Sequence, residues 1–211
     1  KFFLKRLLPS IFSSGVTQIN IFVGTIIASF QAGAVLYLYY ADRVYQINLA
    51  IAGIAVGTVS LPALTKAIKT KNIFNIKKIQ NKSTELSLLL SIPGSLGLII
   101  ASEEITNALF GYGSFSEKNA LITAEAIKYF GYGVPAFALI KVLSNFFFAR
   151  DNTLIPFYLS FFIVLLNIII SLSFFNIIGF IIIPIATSTT TWLGILLYIY
   201  LLRKINFFNI E

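Results

Sequence analysis

The sequence predicts an all-α protein, a polytopic membrane helix bundle of about six transmembrane helices. Three observations carry that expectation. Of 211 residues, 57% are hydrophobic, the mean hydropathy is +0.88 and only 11% are charged, against roughly 25% charged in a soluble domain. Apolar stretches long enough to cross a hydrocarbon core recur along the chain. The basic residues gather in alternate connections, which is how short loops signal topology. The net charge of +8 is therefore assigned to topology, and no nucleic-acid partner is expected.

Lys1 to Leu8 reads as a basic amphipathic lead-in, and Pro9 suits the first turn of a helix. The predicted spans are 11–30, 34–61, 86–108, 120–148, 154–174 and 180–202. The first carries Gln18 and Asn20, too polar to face lipid, so they either bond a neighbouring helix or line a water-filled path. Gln31 to Gly33 is a tight turn, and Pro62 marks the end of the second span or a kink in it. Between Lys66 and Lys82, lysines 66, 69, 71, 77, 78 and 82 are interleaved with Ile73, Phe74, Ile76 and Ile79, like a segment lying on an anionic leaflet, the alternative being a solvated loop. Pro93-Gly94 falls inside the third span. Gly131, Gly133 and Pro135 predict a kinked or broken fourth helix, and Lys141 can snorkel near its far end. Asn167 interrupts the fifth span. The sixth has hydroxyls from Thr187 to Thr191 and the single Trp192.

If six spans alternate sides, one side receives Lys1, Lys5, Arg6, the six-lysine connection, Arg150, Arg203 and Lys204. The other receives Gln31, Glu103, Glu104, Lys118 and Asn176. The asymmetry places both ends of the chain in the cytoplasm. The sequence has no Met, and Lys1 to Ser10 is not a signal peptide, so a piece of a longer chain is expected.

The second span holds the candidate site. Asp42 and Arg43 sit about one third of the way into Leu36 to Lys66. A charge at membrane depth costs at least ~2.5 kcal/mol on insertion scales, so it marks a functional-site hypothesis. On a helix Tyr39, Tyr40, Gln46, Ile47 and Ala50 share or flank the Arg43 face, and Gly53 and Gly57 continue it as G-x-x-x-G. A guanidinium prefers the forked acceptors of phosphate and carboxylate. Arg43, with Asp42, Tyr39, Gln46, Gln18 and Asn20 as cavity lining, suits an anionic lipid head group. The alternative is that Arg43 only pairs with a carboxylate on another helix.

Cys and His are absent, which excludes disulfides, Cys/His metal sites and catalysis by either side chain. There is no phosphate-binding loop and no H-E-x-x-H, so no cofactor and no enzyme are expected. A polyprenyl-phosphate transferase would need acidic clusters in cytoplasmic loops, and these loops are basic. A non-transporting interaction subunit would have no use for Arg43 at membrane depth.

Several stretches resemble one family: GVTQIN with IIASF (15–30), LYYADRVYQ with GTVSLPAL (38–64), LFGYGSF (109–115), YGVPAFALIKVLSNFFFARDNTLIP (132–156) and PIATSTTTWLG (184–194). Together they resemble the MurJ/MviN lipid II flippases of the multidrug/oligosaccharide/polysaccharide exporter superfamily. The resemblance implies two six-helix lobes around a central cavity, with residues 1–211 as a single transmembrane lobe and the first lobe missing. It implies an undecaprenyl-pyrophosphate-linked precursor flipped across the bacterial inner membrane by alternating access, with Arg43 as a cavity arginine. The lipid bilayer and the missing N-terminal lobe are then its partners. Another exporter of the superfamily, for drugs or O-antigen lipids, is the alternative. Some members hold sodium between helices seven, eleven and twelve. Asn167 and Thr187 match that pattern, while its carboxylate positions are Gly24 and Ser171 here, so no metal site is expected.

The topology makes the first testable expectation. A reporter fused after Lys78 should be active only in the cytoplasm, and one fused near Gly113 only in the periplasm. Reversed activities would contradict the six-span assignment.

Overall fold

The computed structural model describes residues 18, 20–113 and 115–208. The lead-in Lys1 to Leu8 and the start of the first predicted span lie outside these residues. The chain continues as α1 (20–28), α2 (Ala34–Lys69), α3 (Ile73–Ile100), α4 (Ser102–Phe110), α5 (Glu117–Phe148), α6 (Leu154–Ile178) and α7 (Ile182–Lys204). A single 3-10 turn, Gly179–Ile181, joins the last two.

Three boundaries differ from the sequence expectation, each for a local reason. Pro62 lies inside α2, which runs on to Lys69. A π-helical turn at Ala50–Ala55 already alters the hydrogen-bond ladder two to three turns earlier. The lysine-rich connection is not a separate interfacial segment. Its residues end α2 and begin α3 around a turn at Lys71 (φ 52). Asn72 caps the new helix, its Oδ1 accepting the Asn75 amide at 3.0 Å. The third predicted span is in fact α3 plus the short α4, divided at Ala101.

The connections gather at two ends. At one end Gln31 Oε1 accepts the Phe180 amide at 2.8 Å, and the Tyr37 hydroxyl donates to Asn119 at 2.8 Å. This joins the α1–α2 turn, the α6–α7 turn and the start of α5. At the other, Gln80 Nε2 and Arg150 Nη2 both donate to the Phe207 carbonyl, at 2.7 and 3.0 Å. That ties the start of α3, the α5–α6 turn and the chain after α7 together. The alternation read from charge is thus also an alternation in space.

Helix α5 is the centre. It packs against α2, α3, α4 and α7, and 78% of its most apolar window is buried. Small residues make this possible: Ala120, Ala124, Gly131, Gly133, Ala136 and Ala138 are all buried. A Cβ at Gly53 of α2 would stand 3.0 Å from the Ala138 Cα. Pro135 cannot donate to the Gly131 carbonyl. Ser95 Oγ on α3 donates to it instead, at 2.7 Å. The neighbouring carbonyls of Tyr129 and Tyr132 accept from Ser188 Oγ (2.7 Å) and Trp192 Nε1 (2.9 Å) of α7. The fourth span is expected to kink or break here; instead one helix runs unbroken from Glu117 to Phe148, its lost hydrogen bond at Pro135 replaced by a side chain from another helix.

This packing generates a paired test. At Gly97 an added Cβ meets nothing within 4 Å, whereas at Gly53 it meets backbone. In the full-length protein in detergent, Gly53→Ala should lower the melting temperature, with overpacking costing ~1–3 kcal/mol. Gly97→Ala should be neutral or stabilising by ~0.5–1 kcal/mol, because alanine costs less helix entropy. Equal responses would contradict the close approach of α2 and α5.

Candidate substrate-facing site

Sequence spacing placed Arg43 and Asp42 on adjacent helical positions, and the structure separates what they do. Arg43 is exposed on α2, its guanidinium carbon 4.9 Å from the Tyr39 ring centroid. No carboxylate among the described residues pairs with it. Asp42 turns inward. Gln46, one helical turn on, donates to its Oδ2, and Tyr45 also contacts the carboxylate. The Tyr45 ring stacks on Phe130 of α5 at 4.5 Å and lies 5.3 Å from Phe137. The acid is thus held inside the lobe by its own helix, and the base is left outside with spare donors.

A cavity of about 140 Å³ opens beside Asp42. Asn20 and Thr25 of α1, Tyr39, Asp42 and Tyr45 of α2 and Thr187 of α7 provide its polar lining. Three of the residues expected as cavity lining, Asn20, Tyr39 and Asp42, meet here. Gln46 belongs to the site through Asp42. Gln18 is exposed and does not line the cavity. Tyr45 is the residue that the sequence reading missed. Its position three residues after Asp42, on the same helical face, was the available signal.

Asn167 and Thr187 do come together. Asn167 Nδ2 donates to Thr187 Oγ1 at 2.9 Å, Thr187 Oγ1 donates to the Ile183 carbonyl at 2.7 Å, and Ser171 Oγ approaches Asn167 Oδ1 at 3.4 Å. Gly24 faces the same spot, since a Cβ there would lie 3.5 Å from Ile183. These groups satisfy one another without a charged oxygen. Among the described residues no cluster of three acidic, His or Cys side chains exists. Asn167, Ser171 and Thr187 offer only neutral oxygens, already bonded to one another, and Asp42, the carboxylate that lines the same cavity as Thr187, is held by Gln46.

The family model described as lipid II flippase MurJ matches residues 1–210. A probable lipid II flippase MurJ from Rickettsia prowazekii (strain Madrid E) is 39% identical over 193 residues, 91% of this chain and 38% of that protein. One from Rhizobium meliloti (strain 1021) is 40% identical over 176 residues, 82% of this chain and 33% of that protein. The chain therefore spans between a third and two fifths of the length of these relatives. A solved lipid II flippase MurJ in an inward closed conformation superposes with TM-score 0.85 at 29% identity, over 96% of this chain and 43% of that one. An outward-facing multidrug transporter of the MATE family reaches 0.79 at 18% identity, which shows a shared fold.

The Asn167–Thr187 geometry can be tested by gain of function. The melting temperature of the full-length protein should be the same in sodium and potassium chloride. Gly24→Asp adds a carboxylate where a side chain has room, and should make the protein more stable in sodium by about 1 kcal/mol at several times the dissociation constant. A sodium-dependent melting temperature in the unaltered protein would contradict the self-satisfied reading.

Proposed function

We propose, since the chain belongs to the lipid II flippase MurJ family, that it supplies the second lobe of a flippase for a lipid-linked peptidoglycan precursor. The family is one of transporters. The observation that supports the reading most is Arg43, exposed and without a salt bridge among the described residues. It lies nine residues after Ala34, the first residue of α2, or about 14 Å along a helix. That is near the middle of a hydrocarbon core ~30 Å thick. A guanidinium left unpaired at that depth needs an anionic partner or water. A pyrophosphate passing between two lobes provides the first, and an alternating-access cavity the second.

In this reading Tyr39 covers one face of the guanidinium and leaves its forked edge for the phosphate oxygens. Asp42, held by Gln46 and Tyr45, keeps the α2 surface in place and lowers the local cost of the positive charge. The lobe sits in the bacterial inner membrane with its lysine-rich end cytoplasmic, as the charge asymmetry indicates. A first lobe completes the cavity, because rocking needs two bodies.

Arg43→Ala in the full-length protein should abolish precursor translocation in cells while membrane abundance stays near wild type. Arg43→Lys keeps the charge but loses the fork, so partial activity at most is expected. Asp42→Asn should be milder than Arg43→Ala. Translocation is read in cells beside an immunoblot of the membrane fraction. Normal translocation by Arg43→Ala at normal abundance would remove Arg43 from the mechanism. Residues 1–211 alone should fail to rescue cells depleted of their own flippase, and rescue would point instead to a dimer of equivalent lobes.

A further inference from the structure

Away from Arg43 lies a groove of about 590 Å³ between the second half of α2 and the first half of α3. Ile51, Val59, Leu86 and Leu90 form its walls, over small side chains at Ala55 and Ala63. Val59 is 76% exposed, so this face is open in the lobe. Lys78 and Lys82 stand together at one end, four residues apart on α3 and both exposed. Among the described residues no carboxylate lines the groove. Its hydroxyls are spent on their own helices: Ser60 Oγ donates to the Gly57 carbonyl at 3.2 Å and Ser83 Oγ to the Gln80 carbonyl at 3.0 Å. The two ammonium groups are therefore the polar contacts left for a ligand.

The dimensions narrow the ligand. From Ile51 to Ala63 the groove follows twelve residues of α2, about 18 Å. That is close to half of a ~30 Å hydrocarbon core, the depth of one leaflet. The π-helical turn Ala50–Ala55 forms the deep end and offsets α2 there. An apolar channel one leaflet deep with paired cations at the headgroup level matches a two-part ligand, an acyl chain under an anionic phosphate. A long polyprenyl chain would overrun it.

We infer that the α2–α3 groove is a binding site for an anionic glycerophospholipid of the lysine-side leaflet, with its phosphate on Lys78 and Lys82 and one acyl chain against Ile51, Val59 and Leu86. This site is separate from Arg43 and does not depend on the flippase reading.

The test uses the full-length protein carrying Trp192→Phe, with any other tryptophans also replaced, and Val59→Trp, which puts a single tryptophan in the groove. It is reconstituted in phosphatidylethanolamine vesicles containing a minor fraction of phosphatidylglycerol, with dibromo-acyl chains on one lipid or the other. Brominated phosphatidylglycerol should quench more than brominated phosphatidylethanolamine at equal content. Lys78→Gln with Lys82→Gln should reduce that preference by roughly fivefold per lysine. Lys66→Gln with Lys69→Gln, on the same end but outside the groove, should leave it intact. Equal quenching by both lipids, or a preference unchanged by Lys78→Gln with Lys82→Gln, would overturn the proposal. So would absence of quenching by either lipid, since another part of the protein would then fill the groove. Displacement of the bromolipid by stoichiometric undecaprenyl pyrophosphate would overturn it in favour of the carrier lipid.

Discussion

The rest of this fold depends on one constraint: within a hydrocarbon layer every backbone carbonyl needs an internal partner. Helix α5 breaks that rule at Pro135, in the middle of the bundle. The Gly131 carbonyl is rescued by Ser95 from α3, while Ser188 and Trp192 from α7 take the carbonyls on either side. The break thus becomes the joint that fixes α3 and α7 on α5. The small residues beside it let those helices come close enough to bond. A similar device appears where Asn145 Nδ2 donates to the Gly57 carbonyl of α2 at 2.7 Å, five residues before Pro62.

The same economy of polar groups explains the site. Asp42 is satisfied by Gln46 and Tyr45, and Tyr45 is in turn anchored by its stack on Phe130. Arg43 is left exposed against the Tyr39 ring, with no salt bridge among the described residues. Inside a lobe that would be a defect. The role proposed for it, on a face that a second lobe would complete, is to receive an anion.

Much of this was legible in the sequence. The tight turns at Gly33 and Gly179 and the hydrogen bond lost at Pro135 follow from glycine and proline chemistry, although the helix runs unbroken through Pro135. The Asp42–Arg43 pair stood out because charge is rare in apolar stretches. What was not legible depended on partners distant in the chain. Ser83, Ser87, Ser91 and Ser95 are buried at every fourth position of α3, but serine is polar enough to hide such a stripe in a hydropathy reading. Tyr45 looked like one more aromatic residue until Phe130 and Asp42 were placed around it. Pro62 was expected to end α2 or kink it. Helix continuation past a proline is decided by packing, which local propensity does not contain.

The central claim is that the α2 face bearing Arg43 opens onto water and is electropositive. Residues 1–211 contain no cysteine, which makes this face directly measurable. Ile47 is 60% exposed and one turn from Arg43. Ile47→Cys in the full-length protein, with any other cysteines replaced, should react in intact membranes with an anionic methanethiosulfonate faster than with a cationic one. Adding Arg43→Gln should remove that preference. A cysteine at position 47 that reacts only after the protein is denatured would show the face to be sealed against lipid or protein, and would contradict the account.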